Sequence, residues 1–417
     1  MMCFLWGMIL AVLLSTSTSA GANDGPFPAQ RYGAKPDGVT DCTSAVQAAL
    51  DAAAQGGGGT VTLGAGRYVI AGSLRVPPGV TLQGTWQTPH HTQGLSGTVL
   101  LITGGRGRET GPAAIEAAGN CAVRGLTLAW PAQTLPNITP YPFAIHGRGL
   151  HVTVEDVTLA NAYQGIALGP EPNELHLVRD VYGCPLKTGL WVDNCTDIGR
   201  LEDVHWNAHY WSRSGMAGAP QDETPIISYQ RTHLTGFVFG RSDWESVTNT
   251  FVFGASVGYR FIQTSHGACN GQFTGIGSDG GPCSVRLEAA QPMGLLFVNG
   301  QFVAMGSAEP TQIVAAKTFG ASAQFSNCTF WGPSAHVAAL DGSGAYLFQS
   351  CHFREWTDKS IGAIYAFGTG GRLSVQGCLF ETGGPGVTAG KTVAESVMIG
   401  NLGDQSAPST GARRGAR

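Results

Sequence analysis

Charge is scarce in this chain: 12% of its residues are Asp, Glu, Lys or Arg, and the formal net charge is −4. No basic stripe is present, which argues against a nucleic-acid partner. Ten cysteines include no Cys-x-x-Cys pair, so no zinc site is implied. Setting Cys3 aside leaves an odd nine, which does not make a complete disulfide framework. No apolar run beyond residue 20 is long enough to cross a bilayer. The run over residues 4–14 has the length of a signal-peptide core and is followed by small residues, although the usual basic start is missing. Residues 1–20 are therefore expected to be an export signal, cleaved after Ala20 or Ala22, and the mature protein to be secreted or periplasmic without a membrane span. What is plentiful is glycine, 61 of 417 residues, with neither collagen period nor low complexity. That density in an ordered chain means many turns.

One six-residue pattern recurs: apolar, any, turn-former, small or apolar, any, large apolar. It reads Val123-Arg124-Gly125-Leu126-Thr127-Leu128, Val154-Glu155-Asp156-Val157-Thr158-Leu159 and Leu201-Glu202-Asp203-Val204-His205-Trp206, with a partial copy at Val178-Arg179-Asp180-Val181. Later copies start at Phe297, Phe325, Phe348 and Val375. Successive starts lie 31, 24 and 23 residues apart, then 28, 23 and 27. A period near 23 residues with loop insertions indicates a solenoid. The third slot holds Gly125, Asp156, Asp180, Asp203, Asn299, Asn327, Ser350 and Gly377, residues that tolerate left-handed or tight-turn backbone. Flanking slots are β-branched or aromatic and suit strands. Stacking should then make a ladder of Phe302, Phe330, Phe353 and Phe380, beside a column of Cys328, Cys351 and Cys378 read as buried free thiols. About a dozen coils of roughly 4.8 Å rise give a rod on the order of 60 Å long. Residues 41–54 read as an N-capped helix with Val46, Ala49, Leu50 and Ala53 on one face, expected to plug the first coil. Residues 21–400 form one domain on this reading, and 401–417 a disordered tail.

Arg31-Tyr32-Gly33-Ala34-Lys35-Pro36-Asp37-Gly38, with Gly57-Gly58-Gly59-Thr60-Val61, Gly66-Arg67-Tyr68 and Val76-Pro77-Pro78-Gly79-Val80 after it, closely resembles the opening of the pectate lyase-like superfamily. That group includes rhamnogalacturonase/epimerase-type and polygalacturonase-like proteins and phage tailspikes. The resemblance covers residues 30–84 and implies an all-β, single-stranded, right-handed parallel β-helix in a carbohydrate context. The motif is structural and fixes neither a reaction nor its residues.

Candidate chemistry must come from the residues. A second strand type starts with glycine, as in Gly189-Leu190-Trp191-Val192-Asp193, Gly236-Phe237-Val238-Phe239 and Gly258-Tyr259-Arg260-Phe261, and period-two alternation points Trp191, Val238 and Arg260 outward. Trp191, Trp206, Trp211 and Trp244 fall within 54 residues. Indoles suit the apolar faces of sugar rings. Trp206 occupies an inward slot and is read as core; Trp191, Trp211 and Trp244 are candidate subsites. His209 and Tyr210 join them, and the stretch from Trp211 to Pro225 is expected to be a loop that walls the cleft; His205, in an outward slot, should face solvent. The Asp156, Asp180, Asp203 column is read as turn chemistry, since Asn, Ser and Gly share its slot. The better candidates are Asp243 and Glu245 with Arg241, then His266 one coil later, with Asp193 on the coil before. The order Asp193/Asp197, Asp243, His266-Gly267, Arg286 loosely resembles the polygalacturonase series. It lacks the Asp-Asp pair, carries Ser265 for a glycine, and has no lysine after Arg286.

The first expectation is a glycoside hydrolase in which Asp243 pairs with Asp193 or Glu245 as acid and base or nucleophile. Arg241 and Arg260 would then hold the polysaccharide, with no cofactor. A lyase or epimerase is the alternative. It would abstract the proton α to a uronate carboxylate with Arg260, Lys187 or His266, and could use Ca²⁺ on Asp193 and Asp197. A non-catalytic glycan-binding β-helix is the third. His90-His91 is read as a solvated loop pair, and Asn137-Ile138-Thr139 as a glycosylation sequon only in a glycosylating host.

Overall fold

The computed structural model describes residues 26–85 and 94–405. The expected export signal, His90-His91 and the end of the tail lie outside them. The chain winds into a parallel β-helix with three faces. On the first face fourteen strands stack, from Phe27–Pro28 to Glu395–Ile399, each paired in parallel with the next. The second follows it through the six-residue repeats. The third is a separate sheet of twelve strands, from Leu74–Val76 to Val387–Ala389. Parallel strands joined around a solenoid take the right-handed connection.

The turn slot behaves as its residue types require. Gly125, Asp156, Asp180, Asp203, Asn299, Asn327, Ser350 and Gly377 all adopt φ between 51° and 67°. Glu155, Arg179 and Glu202 are register partners, so the three aspartates beside them stand on consecutive rungs. Each corner therefore bends where a short polar side chain or none keeps the left-handed penalty low. Asp203→Ala should lower stability by about 1 kcal/mol and Asp203→Gly by less, as read from chemical denaturation.

Inward slots form one continuous core. Phe302, Phe330, Phe353 and Phe380 stack with ring centroids 5.5, 5.2 and 4.6 Å apart. Cys328, Cys351 and Cys378 are buried free thiols, as are the other fully enclosed cysteines of the described residues. A helix spans Thr43–Gln55 and buries Val46, Ala49, Leu50 and Ala53 against the first strands. Asp41 accepts a hydrogen bond from the Thr43 N–H at its start. At the other end the order runs past residue 400. Leu402 bridges to Leu379, the Asn401 amide oxygen accepts from the Cys378 N–H, and Gly400 takes the turn at φ 66°.

Residues 211–225, expected as a loop, lie in an insert at 207–234 that is partly helical. The insert forms helices His209–Ser212 and Thr224–His233, and the second plugs its Gln230 amide onto the Pro185 carbonyl at 2.7 Å. No helix among the described residues is long and apolar enough to cross a membrane.

Candidate functional site

The site is built on the third sheet, whose strands Thr188–Val192, Thr235–Phe239, Val257–Phe261 and Cys283–Leu287 are consecutive rungs. Leu190 and Val192 point inward and Trp191 outward, as alternation requires. Arg260 and Arg286 follow on the same outward row. Just past the strand lies Asp193, 2% exposed. Its Oδ1 accepts from the backbone N–H of Asn194 at 2.9 Å and of Arg241 at 2.8 Å, and from Thr264 Oγ1 at 2.8 Å. Its Oδ2 faces His266 Nδ1 at 3.0 Å. The segment bearing Thr264 and His266 belongs to a later rung and reaches back over Gly240. A Cβ at Gly240 would stand 2.6 Å from both Asp193 Oδ1 and Thr264 Cγ2, so only glycine lets the segment close on the carboxylate.

This arrangement has a definite electronic consequence. With Nδ1–H donated to the buried carboxylate, the neutral imidazole carries its lone pair on Nε2. The His266 side chain is 32% exposed, and Nε2 has no partner among the described residues. The arrangement is a carboxylate-oriented base facing solvent.

Around it stands a partly balanced set of charges. The Arg241 side chain packs over Gly267 and pairs with Asp243 at 3.1 Å; Gln291 Nε2 donates to the same Asp243 carboxylate at 2.6 Å. Arg260 and Arg286 share Glu288, at 3.0 and 2.7 Å, which leaves one positive charge in excess. Burial pushes the Glu288 carboxyl upward, but the two guanidiniums outweigh it and hold it below the usual range. Trp244 stands 67% exposed on left-handed backbone at φ 61°, on a bulge between Ser242 and Glu245. Trp191 stacks on Phe143 with centroids 6.2 Å apart.

Several expected site residues are elsewhere. Glu245 is 0% exposed: it pairs with His176 Nε2 at 3.2 Å and accepts a hydrogen bond from Ser242, so it cannot meet a substrate. Burial disfavours a charged His176, yet the adjoining Glu245 carboxylate and the Cys195 contact overcome it and raise the pKa to about 10. Trp211 is 1% exposed and Tyr210 is buried with its hydroxyl on His205 Nδ1 at 2.8 Å. His209 pairs with Glu223 at 3.2 Å. These three belong to the inserted helices, which leave the solenoid before Thr235, at the opposite end of the strands from Asp193. Their large apolar surface is used to seat the insert, not to line the cleft. Calcium does not fit Asp193 and Asp197. Both Asp193 oxygens are occupied by donors, Asp197 is exposed, and no group of three or more metal-ligating side chains converges among the described residues. Lys187 pairs with Glu109, also at the far edge.

The sequence reading missed Thr264, Gln291 and a second imidazole, His146. His146 Nδ1 meets Glu116 at 3.0 Å and Nε2 meets Glu171 at 2.9 Å. The Glu116 hydrogen bond raises its pKa against the opposing effect of burial. Alternation along Phe143-Ala144-Ile145-His146 was the available signal, since it points His146 outward.

Residues 27–117 match the family model described as rhamnogalacturonase A/epimerase, pectate lyase-like. Alginate lyase 7 of Azotobacter vinelandii is 49% identical over 51 residues, which is 12% of this chain and 6% of that protein. The chain thus matches only a small part of the length of such curated relatives. The A-module of the Azotobacter vinelandii mannuronan C-5 epimerase AlgE6 shares the fold, with a TM-score of 0.50 and 16% identity over 92% of this chain and 99% of the module. The catalytic unit of a GH87 alpha-1,3-glucanase from Streptomyces thermodiastaticus has a TM-score of 0.57 and 14% identity, covering 94% of this chain and 71% of that one. At these identities the likeness is one of fold.

Proposed function

We propose that this pectate lyase-like β-helix protein acts on a uronate-containing polysaccharide, abstracting the proton α to the sugar carboxylate as a lyase or an epimerase. The observation that carries the proposal is the contact of Asp193 Oδ2 with His266 Nδ1 at 3.0 Å. It orients Nε2 as the base. Removing the α-proton puts charge on the carboxylate, which Arg241, Arg260 and Arg286 are disposed to stabilise. Hydrolysis calls for two accessible carboxyl groups set about 5–9 Å apart across the glycosidic bond. Here Glu245 is enclosed, Asp193 is saturated with donors and Asp243 is held by Arg241 and Gln291. These contacts support proton abstraction over hydrolysis. Export, expected from residues 1–20, belongs to the same proposal.

A panel of polymannuronate, polyguluronate, polygalacturonate and neutral glucans tests it. Elimination gives ultraviolet-absorbing unsaturated ends; epimerisation changes the uronate signals without cleavage. Activity confined to neutral glucans, or new reducing ends without unsaturation, would contradict the proposal. Trp244, so exposed and aromatic, should contribute to binding more than to turnover. Trp244→Ala is expected to raise KM by roughly 3–10-fold through lost stacking, with kcat and melting temperature nearly unchanged.

A further inference from the structure

A cavity of about 110 Å³ opens at the other edge of the third sheet. Its walls include Trp130, Tyr141, Phe143, Ser73 and Arg108. The volume is several times what one water needs and far below a cofactor cleft. Two observations point to a ligand. The Tyr141 hydroxyl is fully buried and meets no hydrogen-bond partner among the described residues. A buried donor left in that state is costly unless something enters to meet it. Arg106 and Arg108 are exposed and join no ion pair among the described residues, and Arg106 is near enough for its charge to act on the Tyr141 phenol. Of the acids nearby, Glu109 is matched by Lys187, and Glu116 and Glu171 share His146. The two guanidiniums, unpaired among the described residues, supply the positive charge at the mouth of the cavity.

One wall of the cavity touches a ring of the site described above. Phe143 is a wall of the cavity and stacks on Trp191, and Trp191 is two residues from Asp193. These rings make a diagonal track across the sheet, from the His266 edge to the cavity edge. Five strand residues span about 16 Å, the length of a short oligosaccharide.

We propose that this cavity is a second saccharide subsite, which takes one uronate residue of a polyuronate chain, with its carboxylate toward Arg106 and Arg108 and a hydroxyl on Tyr141. The assignment rests on the proposed function only for the kind of chain that is bound. It makes the protein a reader of several consecutive residues, with the cavity a few sugars away from the reacting one.

Calorimetric titration of the His266→Ala protein with tetramannuronate, tetragalacturonate and neutral maltotetraose tests it. At least one acidic tetrasaccharide should bind, more weakly as salt is added, and the neutral one should not compete. Joint replacement Arg106→Ser and Arg108→Ser should weaken that binding roughly tenfold. Tyr141→Phe should weaken it about fivefold while raising the melting temperature of the ligand-free protein, because the orphan hydroxyl is gone. Unchanged affinity in the arginine and tyrosine variants, no binding of either acidic probe, or equal binding of the neutral one would overturn the subsite. Turnover retained by His266→Ala would instead count against the proton-abstraction reading and would leave these affinities readable.

Discussion

His266→Ala is expected to lower uronate turnover by about 10²–10⁴-fold with little change in melting temperature, since the ring is part-exposed and its loss removes a base rather than core packing. Asp193→Asn should have a comparable effect for a different reason. The amide oxygen of asparagine can replace Oδ1 and keep the contacts to Arg241, Asn194 and Thr264. Its NH₂ then falls opposite His266 Nδ1, where a donor favours the other tautomer and puts the proton on Nε2. The fold would persist and the base would be lost, by up to about 10⁴-fold in kcat. Steady-state rates with circular dichroism on both variants check this. Full activity in Asp193→Asn would mean that the tautomer is irrelevant and the dyad structural.

Glu245→Ala should be the most destabilising single change at the site, by about 3–5 kcal/mol, because it strands His176 in the core without its counter-charge. Among the described residues His176 Nε2 has Glu245 as its one acidic partner, at 3.2 Å, and its Nδ1 donates to the Asn173 amide oxygen at 2.9 Å. Asn173 in turn donates to the Asp193 carbonyl at 2.8 Å, so the pair also braces the dyad from beneath. The sign of the pH effect follows from a folded pKa of about 10, raised above the ordinary histidine value near 6.5. The stabilisation is complete below about pH 6.5 and is lost as pH rises toward 10. Thermal melts across that range should show wild-type stability falling with pH, and Glu245→Ala low throughout. A variant as stable as wild type at neutral pH would show that the pair carries no charge. Joint replacement of both residues by apolar ones should recover much of the loss.

The fold was legible because one backbone requirement repeats. Gly125, Asp156, Asp203, Asn299 and Ser350 differ in charge and size but share tolerance of positive φ, and each adopts it. The phenylalanine ladder followed from period alone. The site was legible where it follows the strands and the coil period. Trp191, Arg260 and Asp193 could be placed by alternation, and His266 by its offset of one coil. What alternation does not report is how a segment leaves the rung. Thr264 and His266 reach Asp193, 71 and 73 positions away, only because Gly240 leaves room. Glu245 was misjudged because the bulge at residues 242–245 shifts the alternation, exposing Trp244 and burying the glutamate beside it. Trp211 and Tyr210 were misjudged because the insert carries its own helices, whose period of 3.6 has no relation to the coil repeat.

In the proposed reaction His266, set by Asp193, removes the proton α to a uronate carboxylate. The direct measurement is proton NMR of a uronate polymer incubated with the protein in D₂O. The account predicts that the α-proton is replaced by deuterium or lost to a double bond with the wild type, and retained with His266→Ala. Cleavage of the chain with every α-proton still in place would contradict it.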